Sequence, residues 1–357
     1  MWTFTNPQIA GNNEFGKQLS SYGDYTVISD PSFDVADINV NTNDGKVYIR
    51  KQTPTGSESW LTISNPNLDG NSSNRDAFGW RVHQTLNYIT INTAENNNAG
   101  GAVRVINAST GATVLDVVEP TVATYGYSQG MSHLGSFVDP SETKLIIPNK
   151  SYDDGTNYGA IEIWDLLAGT KTTTILNPNT DGRDETNAYY NKDQFAGNYA
   201  GTTDYLYVSA VGEDIAFGQS NTGIVYQYDY SGALIASLPS PVTTDNFGFG
   251  EIMFASDNWL LVGTLFQDRF YVYSISGSTL TFDRVWTDAS FASLGQNGAI
   301  DNNRFSVNTG SAIKVFDIAT GTEIVSVPVA GYPKWGAVSN GRLVVVSDDV
   351  VSLYGSE

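Results

Sequence analysis

The sequence predicts an all-β fold: a seven-bladed β-propeller of four-stranded antiparallel blades, with residues 1–357 forming one domain. Three observations carry this. A small turn ending in Gly recurs seven times, each copy after an alternating strand-like run. A further strand-like run lies upstream of every one of these turns. The chain also stops after the third strand of its last unit, while its first residues copy a fourth strand, so residues 2–5 are expected to close the ring.

The turn marks are Thr55-Gly56, Thr110-Gly111, Ala168-Gly169, Ser231-Gly232, Ser276-Gly277, Thr320-Gly321 and Tyr354-Gly355. Before them lie GKVYIRK (45–51), GAVRVINA (101–108), GAIEIWD (159–165), GIVYQYD (223–229), RFYVYSI (269–275), SAIKVFD (311–317) and DVVSLYG (349–355). After the first six comes another strand, as in WLTIS (60–64) or TEIVSV (322–327), so each pair reads as a hairpin. The upstream runs are YTVIS (25–29), YITIN (88–92), KLIIP (144–148), YLYVSA (205–210), WLLVGT (259–264), RFSVNT (304–309) and RLVVVS (342–347). Each unit averages 51 residues, and the spacing between marks varies from 34 to 63, which places the differences in loops.

Aromatic-glycine pairs mark the entry to each unit. Phe15-Gly16, Phe78-Gly79 and Phe247-Gly248 are clear, and Trp335-Gly336 is close to them. Phe195-Ala196-Gly197 and Phe291-Ala292 are degraded copies, and the third unit has none near Tyr125-Gly126. A Phe here is expected to wedge between neighbouring blades, with the Gly permitting close approach near the axis.

The termini predict how the ring closes. Trp2-Thr3-Phe4-Thr5-Asn6-Pro7 parallels Trp60-Leu61-Thr62-Ile63-Ser64-Asn65-Pro66, the fourth strand of unit one. Residues 2–5 therefore supply the outer strand that the seventh unit lacks, leaving no half-built blade with an open edge.

Composition agrees and excludes some functions. With 40 % apolar and 12 % aromatic residues the chain is not disordered, and no long stretch has helical periodicity. A formal charge of −20 repels phosphate backbones and anionic lipid, so no nucleic-acid partner is expected. No cysteine exists to form a disulfide or a thiolate site. The N-terminus lacks the features of a signal peptide, and no apolar run approaches the ~20 residues of a membrane span, so no membrane insertion is expected.

The order Phe-Gly, YxxIS, acidic turn, GxVYIxD and Thr-Gly resembles FG-GAP-like propeller repeats. YLYVSAVGEDIAFGQSNTGIVYQYD (205–229) carries the resemblance best, with NPNLDGNSSNRDAFG (65–79) and NPNTDGRDETNAYYNKDQFAG (177–197). Integrin heads, secreted bacterial proteins and tail or virion proteins of marine bacteriophages carry such repeats. The resemblance specifies architecture well and function poorly.

Candidate chemistry is sparse. Asn65-x-Asn67-x-Asp69-Gly70, with Asp76 at the twelfth position, and Asn177-x-Asn179-x-Asp181-Gly182, with Ala188 there, fit the spacing of a calcium loop. Each brings only one or two charges, lies before the Phe-Gly pair rather than after it, and equally reads as a turn between blades. The acidic turns Asp153-Asp154-Gly155 and Glu213-Asp214 are no stronger, so no metal site is assigned. His83 and His133 are the only histidines and are not spaced as metal ligands; His83 follows Phe78-Gly79 on an inner strand where it can face the channel, with a hydrogen-bonded or solvated histidine as the default reading. Asn96-Asn97-Asn98-Ala99-Gly100-Gly101 reads as a loop without phosphate-cradle features. Tyr125, Tyr127, Tyr189, Tyr190 and Trp335 are candidates for stacking on sugars, with packing as the default role.

The expected function is a non-enzymatic virion component of a bacteriophage, tail-associated, docking on other virion proteins or on a host receptor or glycan. No catalytic, cofactor-binding or metal residues are assigned. The alternatives are a lectin-like propeller, which predicts equivalent sites recurring blade after blade, and a propeller hydrolase or lyase, which predicts carboxylates or His83 converging on a pocket.

Overall fold

Twenty-eight strands in the computed structural model pair into seven four-stranded antiparallel sheets. The structure describes residues 2–5, 14–33, 44–52, 58–66, 77–93, 101–118, 135–153, 158–179, 194–213, 222–241, 248–264, 269–288, 298–309, 311–329, 333–339, 342–347 and 350–354. Every regular element among them is a strand. Six sheets use four consecutive strands, in residues 19–64, 81–118, 137–176, 195–239, 252–287 and 298–328, here called blades 1 to 6. The seventh combines Pro333–Ser339, Arg342–Ser347 and Val350–Tyr354 with the N-terminal strand Trp2–Thr5. That strand runs antiparallel to the C-terminal one, with Trp2 opposite Leu353 and Thr5 opposite Val350, as the copied fourth-strand sequence predicts.

The sheets contact one another in a closed circuit. The first strands of blades 1 and 2 touch, and so do those of blades 2 and 3, 4 and 5, 5 and 6, 6 and 7, and 7 and 1. Between blades 3 and 4 the contact is from Lys144–Asp153 and Tyr158–Asp165 to Phe195–Gly201. The molecule is a β-propeller, with the first strand of each blade innermost.

Apolar residues from two sheets fill each joint. Phe15 is fully buried with Ile28 and Tyr48 of its own blade and Val344 and Val346 of blade 7. Phe78 packs among Val27, Val47 and Ile49 of blade 1 and Ile89, Ile91 and Ile106 of blade 2. Phe195 and Phe249 bridge blades 3 and 4, and blades 4 and 5, in the same way. Burying one such ring contributes about 2–3 kcal/mol, and at these four joints the rings fill the wedge role expected from the sequence.

One mark moves. The pair expected at Phe247-Gly248 is displaced by Phe249-Gly250: the Gly250 N–H donates to the Gly263 carbonyl at 3.2 Å, as Gly16 does to Ser29 and Gly79 to Asn92. Phe247 and Phe291-Ala292 lie outside the described residues. Blade 3, without an aromatic-glycine pair, enters through Gly135 and Ser136 and is tied to blade 2 by polar groups instead. The Ser136 N–H donates to Asn92 Oδ1 at 3.0 Å, Asn92 Nδ2 donates to Ser136 Oγ at 3.0 Å, and the Thr90 hydroxyl donates to the Ser136 carbonyl at 2.7 Å.

Four of the Gly-containing turns share one device. Asp165 Oδ1 accepts from the Leu167 and Ala168 N–H groups, Asp229 Oδ1 from those of Ser231 and Ala233, and Asp317 Oδ1 from that of Thr320. In blade 2 the amide oxygen of Asn107 does the same for Ser109 and Thr110. These Asx turns pre-form the hairpin, and the glycine supplies the positive φ that follows.

Candidate functional site: the central channel

Where the first strands converge they enclose a cavity of about 440 Å³ on the propeller axis, lined from all seven blades. Its two sides differ. Blades 1 to 4 contribute Gln18, Ser20, Ser21, Arg81, His83, Gln84, Ser136, Asn198 and Tyr199. Blades 5 to 7 contribute Ile252, Met253, Phe254, Ala299, Ile300 and Val338, with Asp301 as the one acid among the described lining residues.

Several polar groups on the first side are held in place. Tyr199 stacks on Phe137 with ring centroids 5.4 Å apart and planes 5° apart, and its hydroxyl donates to the Gly135 carbonyl at 2.7 Å. Burial pushes the Tyr199 phenol well above its usual range, so it stays a neutral donor. Arg81 lies beside Gly135, and its own enclosure holds its pKa below the usual guanidinium range, a shift that the nearby Tyr199 opposes. Asn198 Nδ2 donates to the Glu251 carbonyl at 2.6 Å, across to blade 5.

His83 is exposed to the channel and meets Phe137 edge-on at 5.7 Å. Enclosure by the surrounding strands pushes its pKa down to about 4, so the ring is neutral at pH 7. His83 thus takes the channel-facing position that the sequence allowed but did not favour. Tyr199, Gln18, Gln84 and Asn198 were not singled out from the sequence; their signal is their place on or beside a first strand.

The other sequence candidates do not join it. Of the two calcium-like loops, Asn65, Asn177 and Asn179 are described, while Asn67–Asp76 and Asp181–Ala188 lie outside the described residues. The Asn179 N–H donates to Asn177 Oδ1 at 3.1 Å, and Asn179 Nδ2 donates to the buried Glu213 carboxylate, so this segment turns as an Asx turn and spends an amide on the acid. No group of three or more His, Asp or Glu side chains is placed to hold a metal ion among the described residues. His133, Tyr125, Tyr127, Tyr189, Tyr190, Asp154, Gly155, Asp214 and Asn96–Gly100 also lie outside them. Trp335 is placed on the first strand of blade 7.

A second cavity, of about 430 Å³, lies between blades 3 and 4 and is lined by Ser141, Thr143, Thr172, Thr203 and Tyr230. Three of these hydroxyl protons are already spent: Thr172 donates to the Ile163 carbonyl, Thr203 to Asp257 and Tyr230 to the Thr202 carbonyl.

The fold and channel define the class, a β-propeller with an axial cavity. No protein-family model matches the sequence, and no curated protein matches it. Among solved structures, BamB from Moraxella catarrhalis is similar at 12 % identity and a TM-score of 0.53, covering 100 % of this chain and 99 % of that one. A chain of the Mitotic Checkpoint Complex gives 11 % and 0.56 over 99 % and 91 %. The Myceliophteria thermophila Cps50 (Swd1) β-propeller domain gives 10 % and 0.57 over 99 % of each. At these identities the likeness concerns the fold alone. No helix among the described residues is long and apolar enough to cross a membrane.

Proposed function

We propose that this chain is a non-enzymatic docking propeller, and specifically a tail-associated virion component that binds neighbouring virion subunits or a host surface. The observation that carries the reading is the outer rim of blades 4 to 6. Three successive fourth strands turn apolar side chains to solvent: Leu234 and Ile235, Phe282 and Val285, and Ile324 and Val325, each between 41 and 51 % exposed. The fourth strand of blade 3, TKTTTIL, offers threonines and a lysine there instead. Apolar groups concentrated on one arc of a chain carrying −20 charges suit a protein partner and not water alone. Supporting it further, one structural neighbour is a member of a multi-protein complex by its own description. The virion assignment rests on the resemblance of the repeats to phage FG-GAP-like propellers.

The test is cross-linking mass spectrometry on purified particles. The reading expects this chain in the particles, with cross-links near Leu234, Phe282 and Ile324 to a tail subunit. Absence from the particles overturns the virion assignment, and cross-links confined to other surfaces overturn the rim.

A further inference from the structure

The channel contains polar groups that the fold does not use. Among the described residues, the Gln18 amide, the Ser20 hydroxyl and the His83 imidazole have no hydrogen-bond partner. Gln84 donates through Nε2 to the Tyr22 carbonyl at 3.1 Å, leaving its buried Oε1 without a partner. All four lie on or beside the neighbouring first strands of blades 1 and 2. Across the axis, in blades 5 and 6, Ile252, Phe254 and Ile300 present apolar surface to the same cavity.

We propose that the channel binds a small uncharged amphiphile, such as a carboxamide carried on an apolar ring. Its donor–acceptor head meets Gln18, Ser20 and His83, and its body meets Ile252, Phe254 and Ile300. The volume of about 440 Å³ falls within the ~300–1,000 Å³ of small-molecule sites. Charge points to a neutral ligand. The unused groups are neutral at pH 7, the described lining residues include one cation in Arg81 and one anion in Asp301, and the chain's overall −20 opposes entry of an anion.

Benzamide, benzoate and toluene separate the alternatives, read as shifts of the His83 ring signals in carbon–proton correlation spectra and as heats of binding. His83 is identified by the signal that disappears in His83→Ala. The proposal expects saturable benzamide binding, weaker benzoate, and toluene weakest. Gln18→Leu should weaken benzamide roughly fivefold, the equivalent of one neutral hydrogen bond, without lowering the melting temperature. No saturable benzamide shift overturns the site. Benzoate binding tighter than benzamide overturns the neutral head in favour of Arg81, and toluene binding equally well shows the polar wall to be idle. Should Gln18→Leu fail to fold, the ranking of the three probes on the unaltered protein decides alone.

Discussion

Gly45 at the start of the third strand of blade 1 lies backbone to backbone against Phe78 of blade 2, in a parallel bridge. The Phe78 N–H donates to the carbonyl of Asp44 at 3.4 Å, and a Cβ on Gly45 would stand 2.7 Å from the Phe78 Cα, closer still to its amide nitrogen and carbonyl oxygen. The same joint recurs where Gly159 meets Phe195 and Gly223 meets Phe249. Phe78, Phe195 and Phe249 are thus each held from behind by a glycine of the preceding blade.

Gly45→Ala is expected to destabilise the protein by about 3 kcal/mol or more, because a φ of +82° strains any side chain and the methyl has only backbone to displace. Gly277→Ala, with φ +56° and open space around it, should cost only about 1 kcal/mol. Urea unfolding of both variants measures the difference, and equal costs would mean the joint is not tight.

The polar clasp at blade 3 predicts a cost of a different kind. In Asn92→Ala the Ser136 N–H, buried and served by Asn92 Oδ1, loses its acceptor, for a loss of about 2 kcal/mol or more. Thermal melts measure it, and hydrogen exchange at Ser136 should quicken before exchange at Ile161 in the same blade.

The Asx turns separate charge from geometry. Asn107 caps its turn with a neutral amide oxygen as Asp229 does with a carboxylate. Asp229→Asn should therefore cost little at pH 7, whereas Asp229→Ala should cost about 1 kcal/mol. A large loss in both, by denaturant titration, would show that the charge itself matters.

His83 sets the direction of the acid limb. Its pKa lies near 4 in the folded protein against 6.5 when unfolded, so between those values the unfolded chain binds the extra proton. Stability should be fully present above pH 6.5, fall as pH drops toward 4, and then stop changing on this account. The hydrogen bond from Ser231 holds the Asp229 carboxyl below its ordinary 3.8, and the Ala168 N–H does the same for Asp165, so their contributions disappear only at still lower pH. Between pH 7 and pH 4.5 acidification should lower the melting temperature of the wild type more than that of His83→Ala; parallel curves would contradict the shift.

What could be read from the sequence was whatever repeats within a strand or turn. The alternation in GKVYIRK and the likeness of Trp2–Pro7 to Trp60–Pro66 lie in local order, and the strands follow them. The glycines opening the third strands stood in the pattern, but their partner is a backbone in the next blade, invisible to any local window. Phe247-Gly248-Phe249-Gly250 offers two candidate pairs within four residues, and only the ladder to Gly263 chooses between them. The channel was least legible. Its polar and apolar sides come from single residues in each blade, and whether Gln18 or His83 finds a partner depends on strands far away in the chain.

Ring closure by the first strand is the claim on which the rest stands, and the absence of native cysteines makes it directly testable. Thr3 and Ser352 face each other across the two terminal strands. In the double variant Thr3→Cys, Ser352→Cys, mild oxidation should give a near-quantitative intramolecular disulfide with unchanged elution and a raised melting temperature. Recovery of free thiols or of intermolecular dimers, with the fold otherwise intact, would show that Trp2–Thr5 does not complete the last blade.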